Sequence, residues 1–106
     1  MALSLINAPA RVVRGQVFEI RASVAHGMES GQRADSEGRL LARDIVRRVE
    51  CRYGGELVFA ADLYPAIAAN PWLAFHTVAV ASGAITVRWA GDNGFEHSAS
   101  VDIEVT

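Results

Sequence analysis

Apolar and polar residues alternate with a period of two along most of this chain, as in β-strands that bury one face. The stretch from Gln16 to Ala25 shows the pattern most clearly, and the stretch from Phe95 to Val105 repeats it. No segment carries the 3.6-residue period of an amphipathic helix. The positions predicted to face the core are Phe18, Ile20, Ala22 and Val24 in the first stretch and Ala99, Val101, Ile103 and Val105 in the second.

Turn residues separate five further predicted strands. These strands are Leu3 to Ala8, Asp44 to Tyr53, Leu57 to Ala61, Leu73 to Val80, and the alternating segment of Ile85, Val87 and Trp89. In the Asp44 to Tyr53 strand, the predicted inward face carries Ile45, Arg47, Val49, Cys51 and Tyr53, opposite Val46, Arg48, Glu50 and Arg52. Hairpin turns are predicted at Gly54-Gly55 and at Gly91-Asp92-Asn93-Gly94. About seven strands in one domain, residues 1–106, predict an all-β, immunoglobulin-like antiparallel β-sandwich.

Two prolines mark a crossover between Asp62 and Leu73. Pro65 and Pro71 exclude a central strand, since proline fixes φ and lacks an amide proton. The residues before them, Tyr64 and Asn70, are expected to be extended. About one helical turn is predicted from Ala66 to Ala69. The aromatic side chains of Tyr64 and Trp72 are predicted to pin this crossover over one end of the sandwich.

A long polar loop is predicted from His26 to Arg39. It contains Gly27, Gly31 and Gly38 and has no strand-like alternation. Loops of this length in compact domains are usually functional or mobile.

Composition narrows the function classes. Hydrophobic residues make up 51% of the 106 residues, and the formal net charge is −2, so the chain lacks the basic excess of a nucleic-acid-binding surface. No apolar run approaches the roughly 20 residues of a membrane-spanning helix. A single cysteine rules out an internal disulfide. The first residues, Met1 to Ile6, lack a basic region and do not resemble a signal peptide.

The crossover sequence resembles the SoxZ family. The carboxylate-Leu-x-Pro-Ala-Ile-Ala-Ala-Asn-Pro-aromatic-Leu run from Asp62 to Leu73 carries the likeness, with Tyr64 where the family has histidine. Further similar groups are Pro9 to Ile20, Arg43-Asp44-Ile45, Cys51-x-Tyr53-x-Gly55-Glu56, and His26-x-Met28-Glu29-Ser30-Gly31, in which Gly27 and Ser30 replace a proline and a threonine. These groups together span nearly the whole chain.

This resemblance implies a binding role without catalysis. SoxZ proteins form a heterodimer with SoxY, whose carboxyl-terminal cysteine carries sulfur, and the complex meets the other Sox enzymes of thiosulfate oxidation. No cofactor is expected, and the net charge and the apolar runs argue against contact with nucleic acid or a membrane. The resemblance also implies a periplasmic location, reached by export together with SoxY. Whether the isolated chain forms a homo-oligomer stays open.

Two other classes remain open from the residues alone. One is a generic periplasmic immunoglobulin-like binding or adhesion module. The other is a small redox or metal protein that uses Cys51 or His26, with Met28, His76 and His97 as further soft ligands. Cys51 lies on the predicted inward face of its strand, so we expect it to be a buried and inert core residue.

A partner surface is predicted from strands that are apolar on both faces. Between Leu57 and Val80 the larger side chains, Leu73 and Phe75, are expected to enter the core. A sheet with one solvated face should show polar residues on the other side. The apolar positions found there indicate an interface or full burial of the strand. The predicted partner-binding residues are Val58, His76, Val78 and Val80.

Overall fold

Eight β-strands in two sheets make up most of the computed structural model, which describes residues 4–65, 67 and 69–106. They are β1 (Ser4–Asn7), β2 (Arg11–Val12), β3 (Val17–Val24), β4 (Val46–Tyr53), β5 (Glu56–Asp62), β6 (Trp72–Val78), β7 (Gly83–Gly91) and β8 (Glu96–Val105). One sheet has the order β1-β3-β6 and is antiparallel. The other has the order β2-β8-β7-β4-β5 and is antiparallel except for the β2–β8 pair. The predicted immunoglobulin-like β-sandwich is confirmed.

The core lies between the two sheets. Ile20 of β3, Val49 and Cys51 of β4, and Val87 and Trp89 of β7 are fully buried there. The predicted inward faces of β3 and β8 are confirmed: the positions of β8 predicted to face outward, Ser98, Ser100, Asp102 and Glu104, are exposed, and its predicted inward positions are buried or half-buried. No helix in the described part of the chain has the length and apolar character needed to span a bilayer.

The predicted faces of β4 are wrong at its amino-terminal end. Val46 is fully buried and Arg47 is exposed, the reverse of the strict alternation. The cause is a register shift against β7 between Val46 and Arg48, so that Val46 pairs with Gly91 and Arg48 with Ala90. A β-bulge of this kind re-aims side chains without ending the strand. It buries Val46 as well as Val49.

Hydrogen bonds of Asn70, and not aromatic anchors, hold the crossover between β5 and β6. Trp72 is 70% exposed and Tyr64 is 66% exposed, so the predicted pinning is wrong. The amide of Asn70 donates to the carbonyl of His26 at 2.7 Å, and the Asn70 side chain accepts from the His26 amide at 2.9 Å. Asn70 is left-handed at φ 52° and not extended as predicted, since asparagine tolerates that region. The predicted helical turn includes Ala66 and Ala68, which lie outside the described residues.

The loop predicted from His26 to Arg39 is confirmed, and Asp92 ties its far end to the sheet. Residues 25–45, which connect β3 to β4, form two isolated β-bridges and no strand. The carboxylate of Asp92 accepts two hydrogen bonds from Arg43 at 2.8 and 2.9 Å and one from the amide of Ile45 at 3.2 Å. Arg47 lies 3.1 Å from the same carboxylate. The hydrogen bonds from Arg43 lower the pKa of Asp92, because they favour its charged form.

Glycine is required at position 91 because the backbone of Ile45 and Val46 passes close to it. A Cβ atom at residue 91 would clash with the carbonyl oxygen of Ile45 and would lie only 2.9 Å from the Cα of Val46. Since both contacts are backbone atoms, Gly91→Ala should lower the free energy of unfolding by about 1–3 kcal/mol or more. Gly27→Ala is the matched control, because a Cβ atom there meets nothing within 4 Å and φ is not positive. Urea denaturation of both variants measures the difference, and equal stability would contradict the close approach.

The lowered pKa of Asp92 predicts a pH dependence. A carboxyl group whose pKa is lower in the folded state stabilises the fold above the unfolded value of about 3.9, and loses that contribution as pH falls through the folded value. Wild type should therefore exceed Asp92→Asn in melting temperature at neutral pH, and the gap should narrow as the pH drops below about 4. Asp102→Asn, at an exposed position of β8, is the control and should show little change. A gap independent of pH would contradict the assignment.

Candidate partner interface

The three-stranded sheet has one side turned away from the core, here called the outer face. Strand register places its residues in rows, because directly paired positions of an antiparallel sheet point to the same side. Leu5 pairs with Ser23, which pairs with Trp72, and at the opposite end Val17 pairs with Val78. The outer face consists of Leu5 and Asn7 of β1, Val17, Glu19, Arg21 and Ser23 of β3, and Trp72, Ala74, His76 and Val78 of β6.

One end of the outer face is apolar and rigidly held. Val17 is 59% exposed and Val78 is 44% exposed, and Val80, just beyond β6, is 61% exposed. The buried Tyr53 fixes the segment that carries Val80: its hydroxyl accepts from the amides of Val80 and Ala81 and donates to the carbonyl of Ala81. The valine side chains are therefore presented to solvent by a preformed backbone. Clustered exposed apolar side chains of this kind mark interaction sites.

The other end of the outer face carries Trp72. Trp72 and Leu5 flank Ser23 and border a shallow groove of about 440 Å³, whose wall includes Ile6, Asn7, Arg21 and Ala22. Leu5 is also largely exposed. Tryptophan is among the residues that contribute most to binding energy when an interface covers them. This end therefore offers a large aromatic side chain that the isolated fold does not bury.

Charged side chains cross the middle of the outer face. Arg21 donates to Glu19 at 2.6 Å, and His76 lies 3.9 Å from the same glutamate. Both contacts are solvent-exposed, so each contributes little to the stability of the fold. The outer face thus has two apolar ends separated by a polar centre.

The structure places the four predicted partner-binding residues on different surfaces. His76 and Val78 lie on the outer face, and Val80 follows directly after it. Val58 belongs to β5 in the five-stranded sheet, at a register shift between Cys51 and Arg52 of β4. A partner role for all four remains a prediction. Sequence reasoning did not include Leu5, Val17 and Trp72, although the alternation of β3 already indicated that Val17 points outward.

Cys51 is shielded from solvent in the middle of the core. It has no exposed surface, and burial raises the pKa of its thiol to about 11. Sulfur nucleophiles react as thiolates, and at neutral pH a thiol with this pKa is about one part in 10⁴ ionised. The expected burial of Cys51 is confirmed, and its environment favours an inert core residue.

The candidate soft ligands of the long loop are engaged in internal contacts. Nδ1 of His26 accepts a hydrogen bond from the amide of Met28 at 3.0 Å, and the His26 ring packs edge-on against Phe95 with centroids 4.8 Å apart. The sulfur of Met28 accepts from the amide of Val46 at 3.2 Å. His97 pairs with the hydroxyl of Ser4 at 2.8 Å. Within residues 4–65, 67 and 69–106, no three His, Cys, Asp or Glu side chains are grouped to hold a metal ion.

Solved structures share this fold at low sequence identity. A superoxide reductase (neelaredoxin) from Ignicoccus hospitalis is 19% identical with a TM-score of 0.73, covering 97% of this chain and 80% of that one. The sulfur carrier protein SoxY from Chlorobium limicola f thiosulfatophilum is 13% identical with a TM-score of 0.68, covering 100% and 81%. A CARDB domain from Pyrococcus furiosus is 15% identical with a TM-score of 0.61, covering 100% and 98%. At these identities the likeness shows the fold alone.

Sequence comparison shows the family. No curated protein sequence matches the chain significantly. The family model of the sulphur oxidation protein SoxZ matches residues 6–102, which include every strand except the ends of β1 and β8. The resemblance carried by the crossover and by the shorter motifs is therefore confirmed, and the chain belongs to the SoxZ family.

Proposed function

We propose that this chain is the non-catalytic subunit of a SoxYZ sulfur carrier and binds SoxY in a heterodimer. SoxY bears the sulfur on its own cysteine, and this chain holds SoxY while the other Sox enzymes act on it. The heterodimer works in the periplasm, where this chain arrives together with SoxY. Membership of the SoxZ family supports the assignment to sulfur oxidation.

The exposed valine end of the outer face is the observation that carries the binding role. Val17, Val78 and Val80 are large apolar side chains in solvent, while the core of the same sheet is already filled by the opposite faces of β3 and β6. Leaving such residues exposed gains no folding energy, and covering them with a partner does, at about 25 cal/mol per Å² of apolar area. Nothing within the described fold covers them, so a second polypeptide is the occupant that we propose.

The positions of the sulfur and nitrogen ligands support recognition over chemistry. Cys51 has no access to solvent, and its thiol has a raised pKa. Nδ1 of His26 and the sulfur of Met28 already accept hydrogen bonds from backbone amides. A thiol exchange or a soft-metal site at these residues requires the core or the loop to open first. A surface that binds SoxY requires no such rearrangement.

A charge at the valine end should separate binding from folding. Val78→Glu should keep the β-sheet circular dichroism of wild type, because residue 78 lies on the outer face of an edge strand. Affinity for SoxY should fall by about 100-fold or more, since a buried unpaired carboxylate costs several kcal/mol. Titration calorimetry with purified SoxY measures it.

Two further variants sharpen this test. Ser98→Glu introduces the same charge at an exposed position of β8 in the other sheet and should bind SoxY normally. Val58→Glu asks whether β5 belongs to the interface as well. Normal binding by both Val78→Glu and Val80→Glu would show that SoxY docks elsewhere. Unfolding of Val78→Glu alone would instead make Val80→Glu the decisive variant.

Cys51 should be dispensable for sulfur transfer. Cys51→Ser should support thiosulfate oxidation at the wild-type rate once reconstituted with SoxY, because the thiol is buried and un-ionised. The hydroxyl in an apolar site should lower the free energy of unfolding by about 1–3 kcal/mol, so stability and activity must be measured separately. Cys51→Ala is the matched variant without a polar atom. In native wild type, a thiol reagent should label Cys51 only after denaturant is added. Loss of transfer with intact folding and SoxY binding would overturn the recognition-only role.

A further inference from the structure

The charged residues of the outer face are ordered along the strand direction, with the positive and the negative charge in separate rows. Arg21 lies in the row with Asn7 and Ala74, next to the Trp72 end, and Glu19 lies in the row with His76, next to the Val78 end. Because Glu19 and Arg21 are two residues apart on β3, they occupy adjacent rows of the same face. Along the strand direction, the row that contains Trp72 and Leu5 comes first. The row with Arg21, the row with Glu19 and the row with Val17 and Val78 follow in that order.

This order is self-complementary under one two-fold rotation. Two outer faces can be stacked on each other with a two-fold axis in the plane between them. This axis runs perpendicular to the strands and passes between the Arg21 row and the Glu19 row. Arg21 of one copy then faces Glu19 of the other, and the contact occurs twice because the interface is isologous. The Trp72 end of each copy faces the Val78 end of the other. An axis running along the strands would instead stack Arg21 on Arg21 and Glu19 on Glu19, and like charges opposed in an interface are strongly unfavourable.

The geometry points to a weak homodimer in which the outer faces of two copies of this chain pack antiparallel about that axis. The intrachain Glu19–Arg21 pair becomes half of a four-membered cluster of alternating charge, flanked on both sides by apolar rows. Trp72 and Leu5 then gain apolar neighbours that the isolated chain does not supply. A second copy is the occupant, because the Arg21 row matches the Glu19 row in charge and the Trp72 row can pack against the apolar Val78 row.

The size of the outer face sets the strength of this dimer. The strands β1, β3 and β6 have four, eight and seven residues, and at about 3.3 Å per residue and about 4.8 Å between strands they give a patch of roughly 300 Å² in projection. This patch is small for an interface, since each partner of a standard stable complex buries roughly 800 Å² of accessible surface. A small interface of mixed polarity predicts reversible association in the micromolar range or weaker.

A regulatory consequence follows if SoxY binds the same face, and this step alone rests on the proposed function. The homodimer then covers Val78 and Trp72 while SoxY is absent and dissociates when SoxY binds. SoxY wins the competition when its interface is larger or better packed. The exposed valine and tryptophan side chains would thus be protected before the heterodimer forms.

A charge-swap experiment on the chain alone tests the homodimer. Sedimentation equilibrium of wild type from about 1 μM to about 1 mM, the range in which small interfaces dissociate, should show mass rising from 11.4 kDa toward twice that value. Glu19→Arg and Arg21→Glu, made singly, should each weaken association by about 100-fold or more, since each substitution creates two like-charge contacts by symmetry. The double variant Glu19→Arg/Arg21→Glu should restore association, because it reverses both members of each pair.

Matched controls use an exposed ion pair of the other sheet. Arg88 donates to Glu96 at 2.8 Å between β7 and β8, and both side chains are about half exposed, as in the Glu19–Arg21 pair. Arg88→Glu should leave association unchanged, and circular dichroism should show every variant folded. Raising the salt concentration should weaken the wild-type dimer, because part of the attraction is Coulombic.

Three results would overturn the homodimer: a wild-type mass of one chain at all concentrations, single reversals that associate like wild type, or a double swap that does not restore association. Each of these leaves SoxY binding unaffected as a separate measurement. Conversely, a failure of Val78→Glu to weaken SoxY binding would remove the regulatory step and leave the homodimer standing.

Discussion

Burial of one face of β3 in the core between the two sheets, where Phe18 packs edge-on against Tyr53 of β4, is the constraint on which the rest of the molecule depends. β3 is the central strand of the smaller sheet, and Phe18, Ile20, Ala22 and Val24 all enter the core. Successive side chains of a strand point to opposite sides, so fixing Ile20 inside also fixes Glu19 and Arg21 outside. A slip of one residue would expose the whole apolar set and bury the ion pair. The core therefore determines which side chains a partner can meet.

The two sheets are held in alignment at their edges, and these contacts keep the outer face rigid. Phe59 of β5 and Phe75 of β6 stack with centroids 4.4 Å apart, which joins the edge of one sheet to the edge of the other. The hydroxyl of Tyr53 holds the segment that leads from β6 toward β7. A surface preformed in this way loses little conformational entropy on binding, so a modest contact area suffices for specific recognition. His26 and Met28 of the long loop are restrained by other contacts, since they accept hydrogen bonds from the amides of Met28 and Val46.

Alternation was enough to predict the inward faces of β3 and β8, because a period of two is a local property of the sequence, whereas the two-residue strand β2 is too short to show it. Alternation could not reveal the bulge at Val46, since an inserted residue is defined by the partner strand β7 and not by β4 itself. Trp72 was predicted to pin the crossover, yet it begins β6 and points outward, on the same side as Ala74 and His76. Asp92 looked like an ordinary turn residue, and its role emerged only when the fold brought Arg43 and Arg47 to it. Among the predicted interface residues, the outward direction of His76 and Val78 could be predicted from the alternation along β6. The sheet that contains Val58 could not, because strand order depends on the topology of the whole fold.

The burial of Cys51 has a meaning beyond core packing if the proposed carrier role holds. Sulfur bound to a partner's cysteine can be lost to any accessible thiolate, because exchange at sulfur proceeds by thiolate attack and depends on access. A subunit bound next to such a sulfur atom should therefore present no accessible thiolate that could exchange with it. Cys51 meets this requirement twice, since it has no solvent-accessible surface and since burial raises its thiol pKa to about 11. Valine or alanine would avoid the hazard as well, so the tolerance of a cysteine at this site depends on the completeness of the packing around β4.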